Sequence, residues 1–232
     1  MSNEPQLIDF NSAKDSYRET IEKTIAFAGA SHDHYTKAKA DALKRVVARH
    51  FPLLHKPALL DVGCGHGLIH PYLIDSFDIT GADVAGDVLA LARQTNPAVT
   101  YVGYDGIKLP FADASFDLAL AICVMHHVPP ADWVHFLAEM KRVVKPGGAV
   151  FIGEHNPLNP LTRYVVSHND IDAGVTLLSS SRLRKLMDKA GLRSAHTENV
   201  LFTPFSQRFF AWLDRALKWC PLGAQYLTFA RK

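Results

Sequence analysis

Three glycines at alternating positions follow a short apolar run near residue 60. The run LLDV leads into Gly63, Gly65 and Gly67, and Asp61 stands at its end. Glycine accepts the left-handed backbone of a tight turn and has no Cβ, so a ligand can approach the main chain closely. A dinucleotide fingerprint would read G-x-G-x-x-G and bind a pyrophosphate. Here the spacing is G-x-G-x-G and Asp61 would repel a phosphate, so the pattern predicts a neutral or cationic group, with an ordinary tight turn as the alternative.

Two more aspartates follow at the ends of the next two expected strands. Asp83 lies 20 residues after Gly63, where a carboxylate can accept hydrogen bonds from both hydroxyls of a ribose. Asp105 closes the third strand, where it could accept from an adenine amino group while Ile107 flanks the ring. Each aspartate alone could equally be a helix cap or a surface charge. Together, at the carboxyl ends of successive strands, they favour a nucleoside site.

The elements that must position these residues alternate between strand and helix. Short apolar runs closed by glycine or aspartate predict strands at 58–62, 79–83, 99–103, 116–123, 148–154, 195–203 and 225–231. Segments of helical length predict helices at 67–75, 85–94, 131–143 and 180–190. This βαβ alternation predicts a doubly wound α/β fold with a mostly parallel sheet.

The remaining segments flank this core. Apolar residues at helical spacing predict helix from Ser12 to Phe51, interrupted near Gly29 to Ser31. The stretch 156–176 is expected to form a long loop or short helices. The segment Phe205 to Trp219 is amphipathic, so it either packs on the core or a partner subunit, admits an apolar acceptor, or lies at a membrane surface. We expect one domain over 1–232, made of a helical lid at 1–55, a cofactor-binding core at 56–155 and an acceptor side at 156–232.

Composition narrows the class of protein. The 232 residues, 48% hydrophobic, suffice for one large domain. The three cysteines form no C-x-x-C pair, so we expect a cytoplasmic location, without a disulfide framework or a bound metal. The first thirty residues lack the apolar core of a signal peptide, and the longest apolar run, 118–125, is too short to span a bilayer.

The formal net charge of +2 conceals an asymmetry along the chain. Residues 1–180 hold 15 Lys and Arg against 20 Asp and Glu, whereas residues 181–232 hold 10 against 3. The basic end could face an anionic partner or be a solvated face. Basic runs with interleaved aromatic residues are absent, so nucleic acid is not expected as a partner. We expect a small-molecule partner and a monomer or homodimer.

Five stretches of sequence together carry a specific resemblance. They are LLDVGCGHG, ITGADVA, YDGIKLPFADASFDLAL, MHHVPP and RVVKPGGAVFIGE. Over residues 55–155 the chain closely resembles the class I S-adenosylmethionine methyltransferases, of the ubiquinone/menaquinone-methyltransferase-like subgroup. The resemblance implies a seven-stranded sheet with a reversed last hairpin and S-adenosyl-L-methionine as the cofactor. It leaves the acceptor open among hydroxyl, ring carbon or nitrogen atoms of secondary metabolites, sugars or prenylated intermediates.

The same resemblance implies where the cofactor lies. The methionine part would be near Asp61 to Gly65, the ribose on Asp83 and the adenine near Asp105 to Ile107. The implied contacts are Tyr35 in the lid, Asp61, Gly63, Cys64, Gly65, Asp83, Val84, Asp105, Gly106, Ile107 and Cys123.

Methyl transfer to a hydroxyl requires a proton acceptor, and the best candidates follow the fourth and fifth strands. His127 of MHHVPP, with Glu154 or His155 of GEHNP beside it, is the predicted base, since histidine suits proton transfer near neutral pH. Both segments should project into one crevice beyond adjacent strand ends. The alternatives are that His127 serves the local structure and that catalysis relies on positioning alone. A binding protein that keeps the cofactor site without chemistry is the competing function, whereas the glycine spacing disfavours a nicotinamide dehydrogenase.

Overall fold

A computed structural model describes residues 32–168, 172, 174–202, 212 and 216–232. In these ranges seven strands form one sheet in the order β3-β2-β1-β4-β5-β7-β6. β7 is antiparallel to β5 and β6, and the other strand pairs are parallel. The strands are β1 (Ala58–Val62), β2 (Asp78–Asp83), β3 (Thr100–Gly103), β4 (Phe116–Ile122), β5 (Val144–His155), β6 (Arg193–Val200) and β7 (Gln225–Arg231). The expected doubly wound sheet with a reversed last hairpin is confirmed.

Helices cover both faces of this sheet. They are α1 (His32–His50), α2 (Gly86–Thr95), α3 (Trp133–Val143), α4 (Pro160–Ser167) and α5 (Ser180–Lys189), with 3-10 helices at His70–Tyr72 and Met125–His127. Buried side chains of α1 and α2 share one hydrophobic cluster with one face of the sheet, and those of α3 and α5 share a second cluster with the other face. The result is a three-layer α/β/α arrangement.

The central strands are apolar on both faces because both are covered. In β1, Leu59 belongs to the first cluster and Leu60 to the second, and both are fully buried. Such strands appear in sequence as continuous apolar runs, which is why β1, β2 and β4 were predicted to within about a residue. Polar groups in the described core are thereby concentrated at the strand ends.

Three of the expected elements were wrong or had different bounds. Residues 67–75 form turns and the short 3-10 helix instead of an α-helix, because Pro71 lacks the amide hydrogen needed for the helical ladder and its ring opposes a regular helix there. The fifth strand starts at Val144, four residues early, and pairs with Phe116 before a register shift. The sixth strand ends at Val200, and the next residue, Leu201, has a φ of 61°. The stretch 156–176 includes α4.

α1 packs along a face of the sheet. Its buried residues Ala40, Leu43 and Val46 join the first cluster, and its C-terminal His50 accepts a hydrogen bond from Arg231 at the amino edge of β5. Only its first turns reach the carboxyl edge, where Asp33 accepts a hydrogen bond from Tyr72. The expected helix before Ser31 lies outside the described residues.

Most of the expected helix from Phe205 to Trp219 also lies outside the described residues. Of the side chains that are described there, Trp212 is 56% exposed and Trp219 is 76% exposed. Among the described helices, none is both long and apolar enough to cross a membrane.

Replacing Tyr226 with phenylalanine tests one tie between the sheet and its acceptor side. The buried Tyr226 hydroxyl on β7 donates to the carbonyl oxygen of Leu178 at 2.6 Å, just before α5. The loss leaves a buried carbonyl without its partner, so Tyr226→Phe should lower the free energy of unfolding by about 1–2 kcal/mol. Denaturant unfolding measures this change. Tyr164→Phe, at a 55% exposed position, is the control and should change stability by less than about 0.5 kcal/mol; equal effects would contradict the assignment.

Candidate cofactor and acceptor cleft

The glycine turn after β1 uses its three glycines for different reasons. All three have positive φ, with 73° at Gly63, 52° at Gly65 and 66° at Gly67. A Cβ on Gly63 would lie 2.5 Å from Val124 Cγ2, and one on Gly67 would lie 2.4 Å from the Tyr101 hydroxyl. A Cβ on Gly65 would have no atom within 4 Å. Gly63 and Gly67 are therefore required by packing, whereas Gly65 leaves open space beside the main chain.

Asp83 fixes this turn to the end of β2. Its Oδ2 accepts a hydrogen bond from the Gly65 amide at 2.8 Å, and its Oδ1 accepts one from the Ala85 amide at 3.0 Å. A carboxylate has about four acceptor positions, so it can accept further hydrogen bonds. The predicted ribose-binding carboxylate thus lies directly against the glycine turn.

A buried polar chain supports the turn from below. His70 Nε2 lies 3.0 Å from Asp61 Oδ2, and His70 Nδ1 lies 2.7 Å from the Tyr101 hydroxyl. Asp61 is 4% exposed, so its engaged oxygen faces this chain. Cys64 places its sulfur 2.8 Å from the position of a Cβ on Gly81, against the sheet. The structure therefore gives Asp61 and Cys64 supporting contacts, and their side-chain contact with a cofactor stays a prediction.

An apolar edge lies beyond Asp83. Val84 is 54% exposed and Ile107 is 66% exposed, although both are large aliphatic residues. A Cβ on Gly106 would lie 3.3 Å from Val84 Cγ1, which brings the loops after β2 and β3 into contact. Exposed aliphatic side chains on two adjoining loops suit the faces of a flat aromatic ring.

Asp105 stabilises the loop after β3 through hydrogen bonds to its main chain. Its Oδ1 accepts from the amides of Lys108 and Ile107 at 2.8 and 2.9 Å, and these bonds lower the pKa of the carboxyl group. The same bonds shape the loop that presents Ile107. The predicted adenine contact would use the remaining capacity of this exposed carboxylate.

Glu154, at the end of β5, organises the other half of the cleft. Its Oε1 accepts a hydrogen bond from the Val124 amide at 3.1 Å, and its Oε2 lies 2.6 Å from His126 Nδ1. Glu154 is 1% exposed and His126 is 3% exposed. Asp172 Oδ1 lies on the far side, 3.4 Å from His126 Nε2 and 3.6 Å from His127 Nε2.

This arrangement shows which side chains adjoin the expected catalytic group. Glu154 contacts His126 rather than His127, and the ring of His155 lies 5.3 Å from that of His126. Burial opposes a charge on His126, yet Glu154 and Asp172 raise its pKa well above the usual value. Burial and the neighbouring His126 lower the pKa of His127 to about 4. His127 is then neutral at pH 7 and a weak proton acceptor, and its catalytic role stays a prediction.

The two histidines are held by α3. Trp133, the first residue of α3 and fully buried, donates from Nε1 to the carbonyl oxygens of Met125 and Val128 at 2.8 and 2.9 Å. These carbonyls bracket His126 and His127, so one indole fixes the short 3-10 helix that carries both.

Cys123 is the last polar residue of this edge. It has a φ of 56°, and its sulfur lies 3.6 Å from Gln225 Nε2 and 4.0 Å from Lys39 Nζ. Burial raises the pKa of its thiol, but Lys39 and His155 together lower it to about 7.

Tyr35, one turn before Lys39, is half-buried against the first cluster. Its contact with a cofactor stays a prediction.

Sequence reasoning missed four residues of this edge. They are Lys39, His126, Asp172 and Gln225. His126 could have been found, since it adjoins His127 in the same motif. The others come from a helix, a loop and the last strand, and their sequence positions carry no signal.

Known proteins resemble this chain mainly over its central residues. Residues 60–152 match a family described as a methyltransferase domain. Phthiotriol/phenolphthiotriol dimycocerosates methyltransferase 1 of Mycobacterium ulcerans is 31% identical over 172 residues, which are 68% of this chain and 59% of that protein. The 27-O-demethylrifamycin SV methyltransferase of Amycolatopsis mediterranei is 31% identical over 111 residues, 44% of this chain and 40% of that protein.

A solved structure supports the same fold. The crystal structure of a SAM-dependent methyltransferase from Thermotoga maritima covers 96% of this chain and 98% of its own, with a TM-score of 0.69 and 20% identity. Residues 60–152 of this chain therefore match the methyltransferase-domain family, on the fold of a solved SAM-dependent methyltransferase. S-adenosyl-L-methionine is the cofactor of that family. The chain spans about three fifths of the length of the Mycobacterium ulcerans relative and two fifths of the Amycolatopsis relative.

Asp83→Ala should weaken binding of the cofactor by this chain. The change removes an acceptor for ribose hydroxyls and releases the Gly65 amide. We expect the Kd of S-adenosylhomocysteine to rise by about 5- to 150-fold, equivalent to about 1–3 kcal/mol, in titration calorimetry. Asp78→Ala, at the exposed opposite end of β2, is the matched control and should bind normally. An unchanged Kd for Asp83→Ala would remove Asp83 from the site.

Gly65→Val should abolish cofactor binding while the fold remains. The branched side chain would fill the open space beside the turn, and a φ of 52° disfavours it. Circular dichroism and calorimetry with S-adenosylhomocysteine separate folding from binding. Gly86→Ala, where a Cβ also meets nothing within 4 Å, is the control. A Gly65→Val protein that binds as well as this control would place the ligand elsewhere.

Proposed function

We propose that this chain transfers a methyl group from S-adenosyl-L-methionine to an oxygen atom of a small-molecule acceptor. One observation carries the proposal: an open glycine turn and a carboxylate lie beside a buried cluster of histidines and acids. Gly63 packs against Val124, and the Val124 amide is bound by Glu154. Val124 therefore contacts both the glycine turn and the buried polar cluster.

Different residues would fit the methionine end, the ribose and the adenine of the cofactor. The space beside Gly65, which a Cβ would fill, would accept the methionine end close to the main chain. Asp83 would accept hydrogen bonds from the ribose hydroxyls. Val84 and Ile107 would enclose the adenine ring, and the Asp105 carboxylate would accept from its amino group. The bound sulfonium supplies an electrophilic methyl group.

The chain itself would act mainly by orientation. In-line transfer needs the acceptor atom on the far side of the methyl group, and fixed placement of two reactants can supply about 7–11 kcal/mol of the barrier. The Trp133 indole and the Glu154 carboxylate hold the main chain on the side where an acceptor would enter. Burial of these groups excludes water from the transfer.

Oxygen is the proposed acceptor atom for two reasons. The name of the Amycolatopsis relative places its methyl group on an oxygen. In this chain, the polar side chains beyond β4 and β5 suit hydrogen bonding to a hydroxyl. A ring carbon or an amine would find less use for them. The identity of the acceptor molecule is open, because the acceptor-side segments fall largely outside the matched residues 60–152.

Binding of S-adenosylhomocysteine tests the cofactor assignment directly. A ligand that binds only the folded state stabilises it by about 2.7 kcal/mol at a hundredfold excess over Kd. For a chain of this size the melting temperature should rise by about 5–10 °C. NAD at the same concentration is the control and should give no shift. Absence of a shift at millimolar S-adenosylhomocysteine would contradict the proposed cofactor.

Methyl transfer itself requires an acceptor screen. Cofactor labelled in its methyl group should pass label to hydroxylated molecules and not to their O-methylated counterparts, as followed by mass spectrometry. The Gly65→Val variant is the negative control. Cofactor binding without transfer to any acceptor class would favour the competing function, a non-catalytic cofactor-binding protein.

A further inference from the structure

Two histidines and one aspartate converge beyond the end of β4. Each of His126, His127 and Asp172 offers one ligand-type atom, and these three atoms all lie within 4.8 Å of one another. Asp172 Oδ1 is 3.4 Å from the first nitrogen and 3.6 Å from the second. His126 is 3% exposed and Asp172 is 9% exposed, so these two side chains are buried, and His127 is partly buried.

These separations approach those of metal ligands. Zinc binds histidine nitrogen and carboxylate oxygen at about 2.0–2.2 Å in tetrahedral geometry, which places neighbouring ligand atoms about 3.4 Å apart. The distances from Asp172 Oδ1 to the two histidine nitrogens are already nearly that length. The ligand atoms that the two histidines offer lie at most 4.8 Å apart, so closing this distance needs a side-chain movement of about an ångström.

A carboxylate already contacts the other ring nitrogen of His126. Histidines that bind a metal usually donate their other ring N–H to a carboxylate, which fixes the ring and the tautomer. Here His126 Nδ1 lies 2.6 Å from Glu154 Oε2, so Nε2 is the atom directed at Asp172. Glu154 is itself fixed by the Val124 amide, and the Trp133 indole fixes the main chain on both sides of the histidines. The orientation of the ligand atoms is therefore imposed by the surrounding structure.

We propose that His126, His127 and Asp172 bind one divalent transition-metal ion, with Glu154 as the residue that orients His126. The sequence alone indicated no metal site, because it has no cysteine pair and Asp172 lies 45 residues after His127. Two nitrogens and one oxygen suit zinc and its neighbours in the first transition row, whereas magnesium favours an all-oxygen set. Three protein ligands leave a position for water or for an oxygen of a small molecule.

The proposed metal site lies close to the glycine turn. His126 follows Val124 by two residues, and Val124 packs against Gly63 of the cofactor turn. An acceptor oxygen held near the transferred methyl group would thus lie close to the open coordination position. Metal binding itself does not depend on the proposed methyl transfer, and it can be measured without cofactor or acceptor.

Metal binding to the purified full chain tests the proposal. The untagged protein is stripped with a chelator, dialysed against Zn²⁺ and analysed for zinc per chain, and competition with a chromophoric chelator gives the Kd. We expect one tightly bound Zn²⁺ and no competition from equimolar Mg²⁺. Co²⁺ bound in the same place should show the visible absorption of a four- or five-coordinate ion.

Variants assign the ion to these residues. His127→Ala and Asp172→Asn should each raise the Kd for Zn²⁺ by more than about 100-fold, and Glu154→Gln should raise it by about 10- to 100-fold because it disturbs only the orienting bond. His55→Ala, at an exposed position before β1, is the matched control and should keep the wild-type Kd. Thermal unfolding of each variant shows that it is folded before binding is compared.

Two outcomes would overturn the proposal. One is less than half an equivalent of zinc per wild-type chain at saturation. The other is a folded His127→Ala or Asp172→Asn protein with the same Kd and Co²⁺ spectrum as wild type. Either result would leave the three side chains as a hydrogen-bonded group. Failure of methyl transfer with intact zinc binding would bear on the proposed function alone.

Discussion

The buried carboxylate of Glu154 is the interaction on which the cleft depends. A charge with 1% exposure is costly unless it is paired and hydrogen-bonded. Glu154 meets both conditions, because Val124 donates an amide hydrogen to one oxygen and His126 faces the other. Removal of one partner from such a buried pair typically costs about 3–5 kcal/mol. The end of β5 is thereby tied to the segment after β4, and neither can move without breaking the pair.

The segment after β4, which Glu154 holds in place, packs against the glycine turn. Val124 lies where a Cβ on Gly63 would be, so the position of the segment after β4 limits the path of the glycine turn. Asp83 holds the same turn from β2, and the chain formed by Asp61, His70 and Tyr101 supports it from below. Three neighbouring strand ends therefore define one rigid edge. Pre-organisation of this kind suits a reaction whose barrier is lowered mainly by placement.

Sequence patterns were sufficient for the sheet and for the glycine turn, since both depend on local signals. A strand buried on both faces is a continuous apolar run, and a positive-φ turn selects glycine, so the ends of β1 and β2 could be placed with Gly63, Gly65 and Asp83. The helix expected at 67–75 failed because an apolar pattern does not report the effect of Pro71. The partners of Glu154 could not be assigned, because contacts between strand ends depend on rotamers and on loops. Asp172 and Lys39 reach the edge from segments whose own sequence suggests only a loop and a helix.

This difference also accounts for how relatives can share a cofactor and differ in their acceptors. The matched residues 60–152 contain the glycine turn, Asp83 and both histidines, and they end two residues before Glu154. Lys39, Asp172 and Gln225, which complete the polar edge, lie outside them. Backbone-based contacts with a cofactor tolerate few changes, because each needs a special φ or a close approach. Side chains supplied by α1, by the segment before α5 and by β7 can change independently of that turn, so the polar edge can vary while the glycine turn is kept.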